Sequence, residues 1–189
     1  MIALVTGASS GIGRDIAREL AKRKYNIIAV ARNEDALKEL KNELEKEYEV
    51  NVDVRAMDLI DRDGCRKLHD DVKSQYGIID VLVNDAGFGT CGKFTETDLD
   101  KELGMIDTNV VALHILTKLF LIDMVEADKG HILNVASIAG FMPGPLMATY
   151  YSTKSYVVRL TQSIRQELFM QGSHVKISAL CPGPVKTNF

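Results

Sequence analysis

The chain has 189 residues, 46% of them hydrophobic, which is enough to bury a substantial core in one domain. Its formal net charge of -3 gives no general attraction for phosphate backbones, so nucleic acid is not expected as a partner. No apolar run approaches the roughly 20 residues that cross a bilayer, and Met1 leads straight into Ile2-Ala3-Leu4-Val5 without the layout of a signal peptide. The expectation is a cytoplasmic protein without a membrane partner. Cys65, Cys91 and Cys181 lie far apart and read as reduced thiols, and the scattered His69, His114, His131 and His174 read as surface or packing residues rather than metal ligands.

Short β-branched and apolar runs alternate with longer stretches of helical period, the pattern of repeated βαβ units. The fold class expected is α/β, a doubly wound parallel sheet with helices on both faces, as a single domain over 1–189. Strands are predicted at about 2–6, 26–31, 51–57, 79–83, 130–135 and 175–181, with helices between them. After the first strand stands Thr6-Gly7-Ala8-Ser9-Ser10-Gly11-Ile12-Gly13, followed at once by a helical pattern with Ile12, Ile16, Leu20 and Ala21 on its dry face. Glycines in such a turn allow a tight bend, close approach of backbone to a pyrophosphate, and close helix-to-strand packing. The helix N-terminus then offers free N–H groups and a positive dipole end, so Gly7, Ser9, Ser10, Gly11, Ile12 and Gly13 form a candidate phosphate cradle.

The second strand ends in Ala31-Arg32-Asn33. A carboxylate there would suit the ribose hydroxyls of NAD, whereas Arg32 suits the 2′-phosphate of NADP, and the end of the strand itself offers no carboxylate. The cofactor expected is NADP(H), ahead of NAD(H). The next helix, at about 33–47, is heavily charged and is expected to coat the surface. Asp58-Leu59 follows the third strand, and Asn84-Asp85-Ala86-Gly87 follows the fourth. The segment 98–126 contains Asn109 and is unusually apolar, so its helix should be covered on more than one side, by its own sheet or by a second subunit.

Ser137 follows the fifth strand, and Tyr150-Tyr151-Ser152-Thr153-Lys154 opens a further helix. Tyr150 and Lys154, four apart, share one helix face. A tyrosine with its ordinary pKa of about 10 is a poor acid-base group near neutrality, and an adjacent ammonium favours its anion, so Lys154 is expected to tune Tyr150. Tyr151 lacks that offset and is assigned to packing. Pro182-Gly183-Pro184-Val185-Lys186-Thr187 follows the sixth strand.

Together these motifs resemble the short-chain dehydrogenase/reductase family over essentially the whole chain. The glycine turn is similar to its TGxxxGxG, Asn84 to Gly87 to its NNAG with Asp85 in place of the second asparagine, and Asn109, Ser137, Tyr150 and Lys154 to its Asn-Ser-Tyr-Lys tetrad. The resemblance implies a Rossmann-fold oxidoreductase that moves a hydride between nicotinamide and a small-molecule carbonyl or alcohol. Tyr150 would transfer the substrate proton, and Ser137 would bond the substrate oxygen. Lys154 would also hold the nicotinamide ribose, and Asn109 would keep a water of the proton relay. Asp58 and Leu59 would meet the adenine, Asn84, Ala86 and Gly87 would line the cofactor site, and Pro182, Gly183, Val185 and Thr187 would meet the nicotinamide end.

Phe88, Phe94 and the uncharged stretch 138–147 flank these residues, so an apolar substrate is expected. The resemblance also implies a homodimer or homotetramer, built on the 98–126 helix and the helix of Tyr150. Family members continue into a substrate loop and a seventh strand that this chain lacks, so these residues alone are expected to fall short of full activity. A dehydratase or epimerase of the same fold fits the spacing from Ser137 to Tyr150 less well. A non-catalytic dinucleotide sensor or scaffold is the alternative, and it would need no proton relay.

Overall fold

A computed structural model describes residues 1–184 and forms a six-stranded, wholly parallel sheet. The strands are β1 (Ile2–Thr6), β2 (Asn26–Ala31), β3 (Val52–Ala56), β4 (Val81–Asn84), β5 (His131–Val135) and β6 (Lys176–Leu180). Their order is β3-β2-β1-β4-β5-β6, which reverses direction between β1 and β4 and opens a crevice there. The helices are α1 (Gly11–Lys22), α2 (Glu34–Tyr48), α3 (Arg62–Tyr76), α4 (Leu99–Ile106), α5 (Leu113–Glu126) and α6 (Ala148–Met170).

Strand residues alternate between two cores. Ala3, Val5, Ile27 and Ala29 meet Ala17 and Ala21 of α1 and Leu37, Leu40 and Leu44 of α2. Leu4, Ile28, Leu82 and Ile132 meet Leu68 and Val72 of α3 and Leu116, Phe120 and Met124 of α5. Burial on both faces explains the unbroken apolar runs of β1 and β2, since parallel strands covered on each side have no wet face to keep polar. Side-chain caps fix where α2, α3 and α4 begin: Asn33 accepts from the Ala36 N–H, Asp61 from those of Asp63 and Gly64, and Asp98 from that of Lys101.

The segment read as one helix is three pieces, because Asp107–Ala112 widens into a π-helical stretch between α4 and α5. Taken as one run, Leu99–Glu126 is long enough to cross a membrane and contains an 18-residue window with a mean hydropathy of 1.6, contrary to the expectation that no segment would. Leu113, Leu116, Phe120 and Met124 of that run are buried in the protein's own core. Across this interface a polar cluster joins α3 to α5: the buried His69 Nε2 lies 2.8 Å and the half-exposed Lys73 Nζ 2.6 Å from the buried Asp123 carboxylate. On the opposite face α2 is tied down as well as charged, since Glu43 pairs with both Arg14 and Arg18 of α1 at 3.0 Å.

Candidate active site

Turning the chain from β1 into α1 without a steric clash takes the glycines. Gly7 has φ of +70°, and a Cβ there would sit 2.9 Å from the backbone nitrogen of Ala86. A Cβ on Gly13 would lie 2.5 Å from the Gly7 carbonyl oxygen, so α1 packs onto the turn only because that residue has no side chain. Thr6 completes the corner. Its buried hydroxyl accepts the N–H groups of Asp85 at 3.0 Å and Ala86 at 3.2 Å, joining β1 to the end of β4. The glycines are legible in the sequence as a turn, whereas the role of Thr6, which stands in the same motif, depends on partners about 80 residues away.

A cleft of about 670 Å³ opens over this corner. Ser9, Ser10, Gly11 and Ile12 line its floor, Arg32, Asp58 and Leu59 one end, Ala86 and Gly87 the middle, and Ser137, Tyr150, Lys154, Pro182 and Gly183 the other end. Residues from the segments after all six strands and from α6 thus converge on one crevice at the carboxyl ends of the strands. Gly7, Ser9, Ser10, Gly11 and Ile12 line the cleft where α1 begins, which fits a phosphate chain approaching backbone N–H groups at a helix N-terminus.

Several expectations change in detail. Gly13 is sealed beneath the floor. Asn84 points inward, where its amide donates to Thr117 at 3.0 Å and Asn134 at 2.9 Å in a buried network that Thr161 closes. Asn109 is also buried. Its carboxamide donates to the Phe88 carbonyl at 2.9 Å and to Thr153 at 3.2 Å, and accepts the Phe88 N–H at 3.0 Å, so it clamps a loop and leaves no amide hydrogen for a water. Tyr151, assigned to packing, lines the cleft and meets the Tyr150 ring edge-on at 6.1 Å. Phe94 is 67% exposed and lies off the cleft, whereas Phe88, Ile138 and Met147 do line it. Arg32 has a carboxylate neighbour after all: Asp58, distant in sequence, lies 3.9 Å away. Val185 and Thr187 lie outside the described residues.

Tyr150 and Ser137 are hydrogen-bonded through their side chains. Ser137 also caps the turn Ile138–Phe141 by accepting the Ala139 N–H at 3.1 Å, which holds its oxygen in place. Burial pushes the Tyr150 phenol above its ordinary value, and the Ser137 bond pulls it partly back. The ammonium of Lys154 does not supply the expected downward pull. It sits 5.8 Å from the Tyr150 ring centre and donates to the Val135 carbonyl at 2.9 Å instead. Burial lowers Lys154 to about 8, with Asp85 opposing the drop.

The chain matches the short chain dehydrogenase family over residues 1–189. An uncharacterised oxidoreductase of Staphylococcus epidermidis is 37% identical over 188 residues, covering 98% of this chain and 78% of the relative. An NADP-dependent 3-hydroxy acid dehydrogenase of Schizosaccharomyces pombe is 36% identical over 98% of this chain and 72% of its own length. The solved short-chain dehydrogenase of Sphingobium yanoikuyae, in complex with NADPH, superimposes with a TM-score of 0.92 at 30% identity, over 98% of this chain and 72% of that one. A parallel sheet in this order, a glycine corner beneath a long crevice and a Tyr-Ser pair beside a buried lysine therefore have one common source: the chain belongs to the short-chain dehydrogenase family and is an oxidoreductase.

Proposed function

We propose that this chain forms the dinucleotide-binding and catalytic unit of an NADP(H)-dependent oxidoreductase that interconverts a secondary alcohol and a carbonyl on a small, largely apolar substrate. The observation that carries this reading is the Tyr150–Ser137 hydrogen bond at one end of a cleft whose floor is the glycine turn.

Bound nicotinamide supplies the hydride acceptor or donor. Gly7, Ser9, Ser10, Gly11 and Ile12 hold the phosphates through backbone N–H groups, and Arg32, 71% exposed at the cleft's far end, is free to turn from Asp58 to a 2′-phosphate. Asp58 and Leu59 face the adenine end, while Ala86, Gly87, Pro182 and Gly183 enclose the middle and the nicotinamide end, with Val185 and Thr187 assigned to its carboxamide. Tyr150 gives its phenolic proton to, or takes one from, the substrate oxygen, and Ser137 donates a hydrogen bond to that oxygen as charge develops. Lys154, held to the Val135 carbonyl at the same end of the cleft, is placed to bond the nicotinamide ribose. Asn109 acts by fixing the Phe88 loop against α6, and any water it holds sits on its backbone. Phe88, Ile138 and Met147 present no charge to the substrate.

The exposed Leu99, Leu103, Ile106, Ile122 and Val125 of α4 and α5 and Tyr156 of α6 are the surfaces on which a homodimer or homotetramer would form, in a cytoplasmic protein. Fluorescence titration with NADPH and NADH, repeated with Arg32→Asp, tests the cofactor assignment. Tight NADPH binding that the substitution weakens by about 10-fold or more supports it, in line with the loss of charge-assisted hydrogen bonds. Preference for NADH would overturn the role of Arg32, and failure to bind either nucleotide would overturn the reading.

A further inference from the structure

Asp85 is the residue at which this chain departs from the pattern it otherwise follows, and its surroundings are unusual for a carboxylate. It stands just past β4 and lines the cleft, with Oδ2 2.6 Å from where a Cβ on Gly13 would sit and 3.0 Å from one on Gly7. Its carboxylate accepts the backbone N–H of Gly13, in the first turn of α1. Ser10, at the N-cap position of α1, makes no side-chain cap bond, so the acceptor for this helix end comes from across the sheet. An asparagine could accept the same N–H without charge. Here a negative charge occupies the positive end of α1, where the phosphate cradle lies.

Lys154 of α6 is the charged group that acts on Asp85, and each favours the other's ionised form. Cys181, after β6, acts on Lys154 in turn. Arg14, the nearest cation along α1, is drawn away to Glu43 at 3.0 Å, and β1 presents the Thr6 hydroxyl, which is bonded to backbone. One ammonium, itself depressed by burial, is thus the countercharge that acts on this carboxylate among the described residues.

We propose that Asp85 is a positioning residue that couples dinucleotide binding to uptake of a proton from solvent: as a pyrophosphate comes to share the end of α1, the carboxylate becomes a carboxylic acid. Burial already pushes Asp85 up to about 6, so a second anion in the same pocket carries its titration through neutrality. The carboxylic acid removes the repulsion, and its carbonyl oxygen still accepts the Gly13 N–H. Nucleotide affinity therefore weakens as pH rises from 6 toward 8. This rests on the dinucleotide reading above.

The test is isothermal titration calorimetry of NAD⁺, which carries no titrating 2′-phosphate, in buffers of different ionisation enthalpy, on the wild-type protein and on Asp85→Asn. About half a proton is expected to be taken up per nucleotide at pH 6.5 by the wild type and none from this site in the variant. Asp85→Asn is expected to bind about tenfold tighter than wild type at pH 8, with the difference fading toward pH 5.5. Equal proton counts in both proteins overturn the role of Asp85 and leave the dinucleotide reading standing. A wild-type count of zero across pH 6 to 7.5 overturns it without recourse to the variant, and absence of binding to both proteins removes the dinucleotide reading and the coupling with it.

Discussion

The Lys154 ammonium donates to the backbone carbonyl of Val135 at 2.9 Å while only 5% of the residue is exposed. That bond pins the charge to the end of β5, one residue before the strand gives way to Ala136 and Ser137, and so holds it at the proton-transfer end of the cleft. Because burial lowers Lys154 to about 8, the free protein sheds this proton well below the ordinary lysine range. We expect kcat/KM to fall as pH rises through about 8, and Lys154→Met to lower kcat by about 10²- to 10⁴-fold. A kcat/KM profile that stays level to pH 10 would contradict this.

Tyr150→Phe removes one hydroxyl from a half-buried ring and leaves the apolar contacts in place. Loss of about 10²- to 10⁴-fold in kcat is expected with nucleotide affinity nearly unchanged, because the proton donor is lost and the phosphate floor is untouched. Steady-state kinetics beside fluorescence titration separates the two. Comparable loss in both measurements would place Tyr150 in binding instead of chemistry.

Gly13→Ala tests the floor of the cleft. Its Cβ would meet the Gly7 carbonyl at 2.5 Å, and that neighbour is backbone that cannot swing aside. The expected cost is about 1–3 kcal/mol of stability, with α1 displaced and nucleotide affinity reduced at least tenfold. Urea denaturation with a parallel titration checks both, and a variant as stable as wild type would show that the turn has slack.

Asp123→Ala leaves His69 and Lys73 without their shared carboxylate at the α3–α5 contact. Lys73 is half exposed and can turn to water, so the loss is chiefly that of the buried His69 bond, and a cost of about 1–3 kcal/mol in denaturant unfolding is expected. The hydrogen bonds from Lys73 and His69 hold Asp123 below the ordinary carboxylate range against the opposing effect of burial. A carboxylate lowered in the folded state binds fewer protons there than when unfolded. Its stabilisation is therefore complete above about pH 4 and declines as pH falls through the lowered value. The gap in stability between wild type and variant should narrow as pH falls below about 4, and a gap that stays constant through acid unfolding would refute the assignment.

Much of this molecule is legible locally. Each of the six strands lies within two residues of its predicted bounds, because apolar runs and turn residues are local signals, and the glycine corner and the Tyr150–Lys154 offset are set by neighbours in sequence. What sequence does not show is where side chains point once distant segments meet. Asn84 and Asn109 read as cleft residues, yet they bond inward to partners 21 to 50 positions away. Asp58 reaches Arg32 from the next strand over, and Lys154 turns to Val135 rather than to the tyrosine one turn before it. The hydroxyl of Thr6 finds its donors 79 and 80 residues on.

The widened stretch Asp107–Ala112 sets the phase of everything after it. A residue in a regular α-helix advances the chain by about 100°, so the extra residue a π turn accommodates rotates α5 relative to α4 by about that much. Deleting one residue between 107 and 112 would let the segment relax into an ordinary helix, and either Asn109 or the stripe of Leu113, Leu116, Phe120 and Met124 would then face the wrong way. The stretch behaves as an inserted letter that the rest of the helix has come to be read against, so this part of the chain tolerates substitution more readily than any change of length.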